Sequence, residues 1–346
     1  YRDSLTCENL SKLTKIENLP PIKEASYGCY ITKDERVLCS GYNGGGQAGV
    51  DPKLQPTVLT PTEIESLRGQ VVSIKGDWSS YCALLKTGRV KCWGEGVSWP
   101  ADSSKSLSSF IPLDVPGITN AKSLYATYGG TKCVVLFFFF FYCWGGFMNS
   151  TYQVNTLVLV YQSSSIRYVA TGSGNSFCIL ENSADVKCMN YDSEKKTFSF
   201  NNRMEITSIK KMSSSANNNC VLTEDSRVLC WGYNYFNRIS LSYKSDEFLN
   251  VAVEITEMKG AIDIDVDFYR TCALMPDTSV QCIGYLNTIA DFAHNSDVPL
   301  TLPDLDSIVD GTLVGNSASC VLNKTGMVNC WPILYPYQDF SPAYGS

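Results

Sequence analysis

Apolar and polar residues alternate in short paired runs that recur along the whole chain. In the stretch CALLKTGRVKCWG, residues 82–94, Leu84 stands two places after one cysteine and Val90 two places before the next. Equivalent positions hold Ile31, Val135, Leu180, Leu222, Leu274 and Leu322 on the first run, and Val37, Phe141, Val186, Val228, Val280 and Val328 on the second. A period of two places these residues and both flanking cysteines on one face of a strand pair. The pattern predicts seven β-hairpins, each with one buried face.

The turn follows from the same arithmetic. If the two cysteines face each other, three residues remain at the tip, Lys86-Thr87-Gly88 in one unit and Lys324-Thr325-Gly326 in another. Glycine third suits a type I turn closed by a left-handed residue. Upstream of each hairpin a further piece repeats: PTEIESLRGQVVSIKGD before Cys82 compares with VAVEITEMKGAIDIDVD before Cys272, an outer strand, a turn and an inner strand. Four strands per unit result. The residues 13–28, LTKIENLPPIKEASYG, supply the same piece with no hairpin before it, and the last hairpin has no clear outer strand after it. Thr14 to Glu17 are therefore expected to pair with the final unit and close a ring, which removes exposed sheet edges.

Cysteine usage sharpens this picture. Of 15 cysteines, 14 form pairs with nine residues between: Cys29/Cys39, Cys82/Cys92, Cys133/Cys143, Cys178/Cys188, Cys220/Cys230, Cys272/Cys282 and Cys320/Cys330. Successive pairs begin 53, 51, 45, 42, 52 and 48 residues apart, a period near that of propeller blades. Opposed positions on adjacent antiparallel strands lie about 4.5–5.5 Å apart, within disulfide range. Zinc sites favour shorter spacings and histidine, and His294 is the sole histidine. Each pair is read as a bridge within its hairpin, contributing roughly 2–3 kcal/mol. The fold expected is all-β: one seven-bladed propeller domain over 1–346, of four-stranded antiparallel blades with one hairpin disulfide each. Residues 1–28 form the closing strand and first inner strand, with hairpins at 29–39, 82–92, 133–143, 178–188, 220–230, 272–282 and 320–330.

Seven bridges imply an oxidising compartment, hence an extracellular, secreted or cell-surface protein. Sequons at Asn9, Asn149 and Asn323 and a chain that starts at Tyr1 as if a leader had been removed agree with it. A composition of 44% hydrophobic and 18% charged residues is that of a globular protein, and a formal charge of −6 argues against nucleic acid as a partner. The uncharged run of residues 133–144 is too short to span a bilayer, which takes roughly 20 residues, so no membrane span is expected.

CALLKTGRVKCWG together with GYNGGGQAGV, residues 41–50, resembles the repeat of the regulator of chromosome condensation family. The resemblance covers essentially the whole chain and implies a seven-bladed propeller; secreted members often carry this cysteine pair. Gly46, Gln47 and Gly49 keep the glycine-glutamine segment in the first blade, and Gly232, Tyr233 and Asn234 form a remnant in the fifth. The founding nuclear member exchanges nucleotide on a small GTPase and binds chromatin, a role at odds with disulfides and negative charge. A secreted bacterial member inhibits β-lactamases through loops on one face, so the scaffold can act as a pure binding surface.

Candidate chemistry is sparse. One histidine rules out Ser-His and Cys-His nucleophile pairs, and no cofactor, metal or catalytic residue is expected. Asp263, Asp265 and Asp267 alternate along an inner strand, where they would form a solvated channel wall or hold calcium. Phe137, Phe138 and Phe139 fall on a hairpin tip and would expose several hundred Å² of apolar surface, a candidate contact. Phe140 and Phe141 have structural places, Phe141 in the buried valine position. Cys7 is the odd cysteine, free or bridged to another chain. Tyr233, Tyr235 and Phe236 are further interaction candidates. The reading is a non-enzymatic extracellular protein-interaction propeller, a structural or adhesive subunit that associates with itself or another extracellular protein. The alternative is a secreted recognition module, an inhibitor or lectin that binds a foreign protein or a glycan through one face.

Overall fold

The computed structural model describes the backbone of residues 14–15, 19–77, 79–97, 108–127, 130–136, 140–145, 154–171, 177–181, 186–192, 197–204, 206, 208–215, 218–234, 237–240, 242–243, 247–266, 270–286, 294–301, 313–314, 318–322 and 328–332. Side chains are described between 19 and 284, apart from 154–156 and 190–204. Every described strand lies in an antiparallel four-stranded sheet, with strands in sequence order from inner to outer in all described sheets but the last. Blade 1 comprises Ile22–Ser26, Cys29–Thr32, Val37–Tyr42 and Thr57–Glu63. Blade 2 comprises Val71–Gly76, Ser80–Leu85, Val90–Gly94 and Ser109–Asp114. Blade 3 is Ala121–Ala126, Thr131–Leu136, Phe140–Gly145 and Val154–Gln162, and blade 4 is Ile166–Thr171, Phe177–Glu181, Val186–Asp192 and Thr197–Met204. Blade 5 is Ile209–Ser215, Asn218–Thr223, Val228–Tyr233 and Phe248–Glu254, and blade 6 is Asp263–Val266, Arg270–Leu274, Val280–Leu286 and His294–Thr301.

The blade count is corrected by the structure. Six complete blades carry described hairpin disulfides, not the seven equivalent ones expected from the cysteine spacing: Cys29–Cys39, Cys82–Cys92, Cys133–Cys143, Cys178–Cys188, Cys220–Cys230 and Cys272–Cys282. The last sheet is a composite of another make. Among the described residues its inner strand is Leu313–Val314, its hairpin is Ala318–Leu322 and Val328–Pro332, and its outermost strand is the N-terminal Thr14–Lys15. Thr14 faces Cys330 and Lys15 faces Asn329. Cys320 and Cys330 are opposed in register, and their side chains lie outside the described residues. The spacing counts hairpins, whereas a full blade also has inner and outer strands of several residues each, and among the described residues those of this sheet have two each.

The distance between paired cysteines is corrected as well. In all six described bridges the cysteines are directly opposed, with Cα atoms 4.0–4.1 Å apart, closer than the spacing expected. The register explains it. Ser40 N–H donates to Gly28 O (2.8 Å), so the hydrogen-bonded pair lies one step beyond Cys29 and Cys39, which occupy the narrower, non-hydrogen-bonded site. The tip of blade 2 closes as the sequence predicts: Leu85 N–H donates to Arg89 O (2.9 Å), Gly88 N–H to Leu85 O (2.9 Å), and Gly88 has φ 76°. Glu35, Ser226 and Thr278 hold the same left-handed slot in blades 1, 5 and 6. Tips are stapled to the connection that leads to the next blade, through Gly69 N–H to Glu35 O, Ala121 N–H to Gly88 O and Gly260 N–H to Ser226 O (2.8–2.9 Å).

Blades pack face to face, and disulfides face the next blade. Cys29 and Cys39 of blade 1 pack on Ile74, Ala83 and Trp93 of blade 2. Cys82, Leu84, Val90 and Cys92 of blade 2 pack on Ala121, Leu124, Val134 and Trp144 of blade 3. Cys133, Val135, Phe141 and Cys143 of blade 3 pack likewise on Ile166, Val169, Phe177 and Ile179 of blade 4. Cys178 and Cys188 meet Met212 and Val221 of blade 5, and Cys220 and Cys230 meet Ile264 and Ala273 of blade 6. Cys272 and Cys282 are buried too. Each buried aliphatic side chain contributes roughly 1.5–3 kcal/mol, so the cohesion of the ring resides in these interfaces. Phe141 takes the buried valine position and meets Phe177 edge-on at 5.5 Å.

A glycine two residues after the second cysteine recurs in the left-handed region. Gly41 follows Cys39, Gly94 follows Cys92, Gly145 follows Cys143, Gly232 follows Cys230 and Gly284 follows Cys282, with φ between 95° and 115°. Between each such cysteine and its glycine the pairing of third and outer strand shifts register. A bulge at this point lets the outer strand leave the hairpin, and the positive φ explains why glycine follows the tryptophan. Blade 4 departs from the expected equivalence of units. Asn190 stands two places after Cys188, pairing runs on unbroken from Lys187 to Asp192, and the shift comes before the cysteine, between Val186 and Lys187.

Candidate functional site: the loop face

Hairpin tips and blade-to-blade connections occupy one face of the ring, and the longer connections between third and outer strands occupy the other. Two of those long loops are built alike. In blade 1, Asn43 is buried; its Nδ2 donates to Val50 O (3.1 Å) and Gln55 O (2.7 Å), while its Oδ1 accepts from Ala48 N–H (2.8 Å). In blade 5, Asn234 Nδ2 donates to Ser240 O (2.6 Å) and Tyr243 O (3.3 Å), and its Oδ1 accepts from Ile239 and Ser240 N–H. One asparagine thus supplies the polar partners that each turn-rich loop needs when its backbone is buried.

The loops also reach the following blade. Gln47 O accepts from Trp93 Nε1 of blade 2 (3.0 Å), and Arg238 O accepts from Thr271 Oγ1 of blade 6 (2.6 Å). Gly46 (φ 83°) lies against Phe110, where a Cβ would come 2.8 Å from the Phe110 Cβ and 2.9 Å from its backbone N and Cα, and Asn237 (φ 57°) takes the corresponding place in blade 5. Among its described residues, the segment in blade 5 is therefore a structural equivalent of the one in blade 1 at Asn234, Asn237 and Arg238, and reaches beyond the three-residue remnant read from the sequence. Its signal was the shared spacing from Asn43 to Gln47 and from Asn234 to Arg238, hidden because arginine replaces glutamine.

Three charged arrangements tie neighbouring blades near this scaffold. Lys132 Nζ of blade 3 meets Asp77 Oδ2 of blade 2 at 2.7 Å, with side chains 3% and 0% exposed. Burial pushes the Asp77 carboxyl up, but the Lys132 charge and its hydrogen bond, with the Ser79 and Ser80 amides, hold it below its ordinary 3.8. Between blades 1 and 2, Glu24 Oε1 accepts from Ser73 Oγ and Lys75 Nζ, both at 2.8 Å. Between blades 5 and 6, Lys211 Nζ pairs with Asp263 (2.5 Å) and Ser213 Oγ donates to Asp265 (2.8 Å). The acidic strand expected as a solvated or calcium-binding channel wall is thus partly buried and matched by its neighbour, and Asp267 lies outside the described residues. Burial and the nearby Asp265 and Asp263 push the Tyr168 phenol up to about 12.

A fourth cluster links blades 3 and 4. Glu181 accepts from Tyr161 OH (2.9 Å) and pairs with Lys187 Nζ (2.7 Å), which also donates to Tyr161 OH (2.9 Å). Burial raises the Glu181 carboxyl, yet hydrogen bonds from Lys187, Ser163 and Tyr161 bring it down to about 2 from 4.5. A depressed folded pKa contributes stability that is complete above 4.5 and lost as the pH falls toward 2, worth roughly 3 kcal/mol at most. Glu181→Gln is expected to flatten the pH dependence of urea unfolding between 4.5 and 2, and an unchanged slope there would remove Glu181 from the acid response.

Of the sequence-predicted contacts, Tyr233 is partly buried and meets Phe248 edge-on at 4.8 Å. Tyr235 and Phe236 lie outside the described residues, as do Phe137, Phe138, Phe139, Cys7, Asn9, Asn149 and Asn323. Among the described residues, no group of three or more His, Cys, Asp or Glu could hold a metal ion, and no helix is long and apolar enough to cross a membrane.

A family model of the Regulator of chromosome condensation (RCC1) repeat matches residues 209–238, which hold the inner strand and hairpin of blade 5 and the start of its long loop. No curated protein sequence matches the chain. Among solved structures, yeast RCC1 (Prp20) bound to Kap60 is similar at TM-score 0.69 and 15% identity, over 95% of this chain and 86% of that one. Human WBSCR16 is similar at TM-score 0.68 and 11% identity, covering 92% and 89%. The CRINKLY WD40 ectodomain of the Arabidopsis thaliana receptor kinase ACR4 is similar at TM-score 0.51 and 15% identity, covering 92% and 100%.

Proposed function

We propose that this chain, an RCC1-like repeat propeller, works outside the cytosol as a non-enzymatic protein-interaction module, a structural or adhesive subunit of an extracellular or cell-surface assembly. The observation that carries the reading is the position of the bridges. Five of the six described disulfides lie buried in the interface between consecutive blades, so the oxidised form is part of the interblade core. A cytosolic protein kept reduced would hold a buried pair of thiols in each of those interfaces instead. The loops held by Asn43 and Asn234 are pre-ordered, which lowers the entropic cost of binding a partner. A protein partner agrees with the Kap60 complex of the yeast relative.

The ring pair of Tyr233 and the exposed Phe248 favours a second reading, recognition of a foreign protein or a glycan by ring stacking on the loop face. Cross-linking mass spectrometry on the protein collected from its native source, after alkylation without reductant, tests the proposal. The expected result is blocked cysteines in every described pair and cross-links from this chain to protein. Alkylated cysteines at these positions, or cross-links confined within single chains, would sink it.

A further inference from the structure

The outer strands of the six complete blades differ in how they guard their free edges, and one of them has neither a proline or acid at the guarding places nor a charge elsewhere. In blades 1, 2 and 6 a proline precedes the residue that faces the second cysteine: Pro61 before Thr62, Pro112 before Leu113 and Pro299 before Leu300. Proline has no N–H to offer a further strand, so it blunts an edge. In blades 1, 2 and 5 the residue after the one that faces the cysteine is acidic, namely Glu63, Asp114 and Glu254. Each is held by basic side chains, Glu63 by Arg68, Asp114 by Arg89 and Lys91, and Glu254 by Arg227. Charge on an edge is the second common device against strand addition.

Blade 3 has neither. Val158 faces Cys143 and Leu159 faces Tyr142, so Leu157 stands where its sisters carry proline and Leu159 where they carry an acid. Leu159 is 44% exposed. The strand, Val154–Gln162, is nine residues long and contains no charged residue. Blade 4 also lacks both guards, with Phe200 and Asn202 in these places, but its outer strand carries Arg203.

We propose that the outer strand of blade 3 pairs edge to edge with the same strand of a second copy of this chain, antiparallel about a two-fold axis, which merges two four-stranded blades into one eight-stranded sheet. Because an isologous contact sets each residue against its own counterparts, a charged strand would confront like charges across the axis, whereas VNTLVLVYQ confronts none. A run of nine residues offers about 30 Å of pairing length. Because proline is accommodated at this register in three blades, the blade's own pairing does not need that amide, and it is free for a partner strand. The inference rests on the reading of the chain as a protein-interaction module and names its partner.

The test is mass by light scattering across about a hundredfold range of concentration, with hydrogen exchange at 154–162, on wild type, Leu157→Pro and Leu159→Glu. Both substitutions import a sister blade's residue, and circular dichroism checks that each variant folds. Wild type is expected to move from one chain to two as concentration rises, with slowed exchange along the strand. Each variant is expected to associate at least about tenfold more weakly. Wild type that stays monomeric throughout, or folded variants that dimerise as well as wild type does, would overturn the proposal. A wild-type monomer that cross-links to a foreign protein would overturn self-pairing alone and leave the interaction reading standing.

Discussion

Lys132→Met should destabilise the protein by roughly 3–5 kcal/mol, because it strands the Asp77 carboxylate in an interface that water does not reach. Methionine keeps the length and apolar stem of lysine, so the loss is electrostatic, not a cavity. Asp77 does more than pair. Its Oδ1 accepts from Ser79 N–H (2.8 Å) and Ser80 N–H (2.9 Å) and so organises the turn between the inner and second strands of blade 2. The double variant Asp77→Asn/Lys132→Met should recover much of the loss, since a neutral amide can keep the turn and needs no counter-charge. The pH dependence has a definite sign. The folded carboxyl titrates below 3.8, so the pair's contribution is complete above that value and lost as the pH falls through the folded pKa. Urea unfolding of wild type and both variants at about pH 7 and about pH 3 measures this. Equal stability of wild type and Lys132→Met near neutral pH would show that the pair contributes nothing.

Gly94→Ala should be comparably severe, whereas Gly41→Ala, the same change one blade earlier, should be mild. Both glycines have nearly the same backbone, φ 103° and 104°, far from what alanine adopts readily, at a cost of about 1–3 kcal/mol. They differ in what a methyl group would meet. At Gly94 it would lie 2.4 Å from Ser79 O and 2.7 Å from Ser80 Cα, whereas at Gly41 nothing stands within 4 Å. The obstacle at Gly94 is backbone of the strand paired with it, in the turn that Asp77 organises, so it cannot swing aside. Overpacking adds roughly 1–3 kcal/mol there. Denaturant midpoints of the two variants decide it: a gap separates them if the close approach matters, and coincident midpoints would leave the backbone angle as the sole cause.

The hairpin was legible because its signals are local. Two cysteines nine residues apart, alternate apolar residues between them and a three-residue tip are all set by strand geometry, and Cys82 with Cys92 and Gly88 at the tip stand as that geometry requires. Blade equivalence was not legible in the same way. The spacing of Cys320 and Cys330 announces a hairpin like the others, yet among the described residues the strands on either side of it, Thr14–Lys15 and Leu313–Val314, have two residues each, and a hairpin's spacing says nothing of its flanking strands. Cys178 and Cys188 likewise share the common spacing, yet the outer strand after Cys188 stays in register where the others bulge, because asparagine stands in the glycine position. The loop of blade 5 was read short for a related reason. Asn234 organises it through carbonyls six and nine residues away, and only the folded loop shows that Arg238 fills the place of Gln47.

The sequence by itself determined the repeat, by its recurring spacing, and the hairpins with their cysteine pairing, since a hairpin depends on residues within a dozen positions of one another. Only the tertiary structure decided that the disulfides face the following blade, that Asp77 finds Lys132 and Asp263 finds Lys211 across blade boundaries, and that the uncharged outer strand of blade 3 lacks both edge guards. Those ion pairs join residues about fifty positions apart, brought together by the rotation from one blade to the next. No local pattern encodes which residue that rotation sets opposite another.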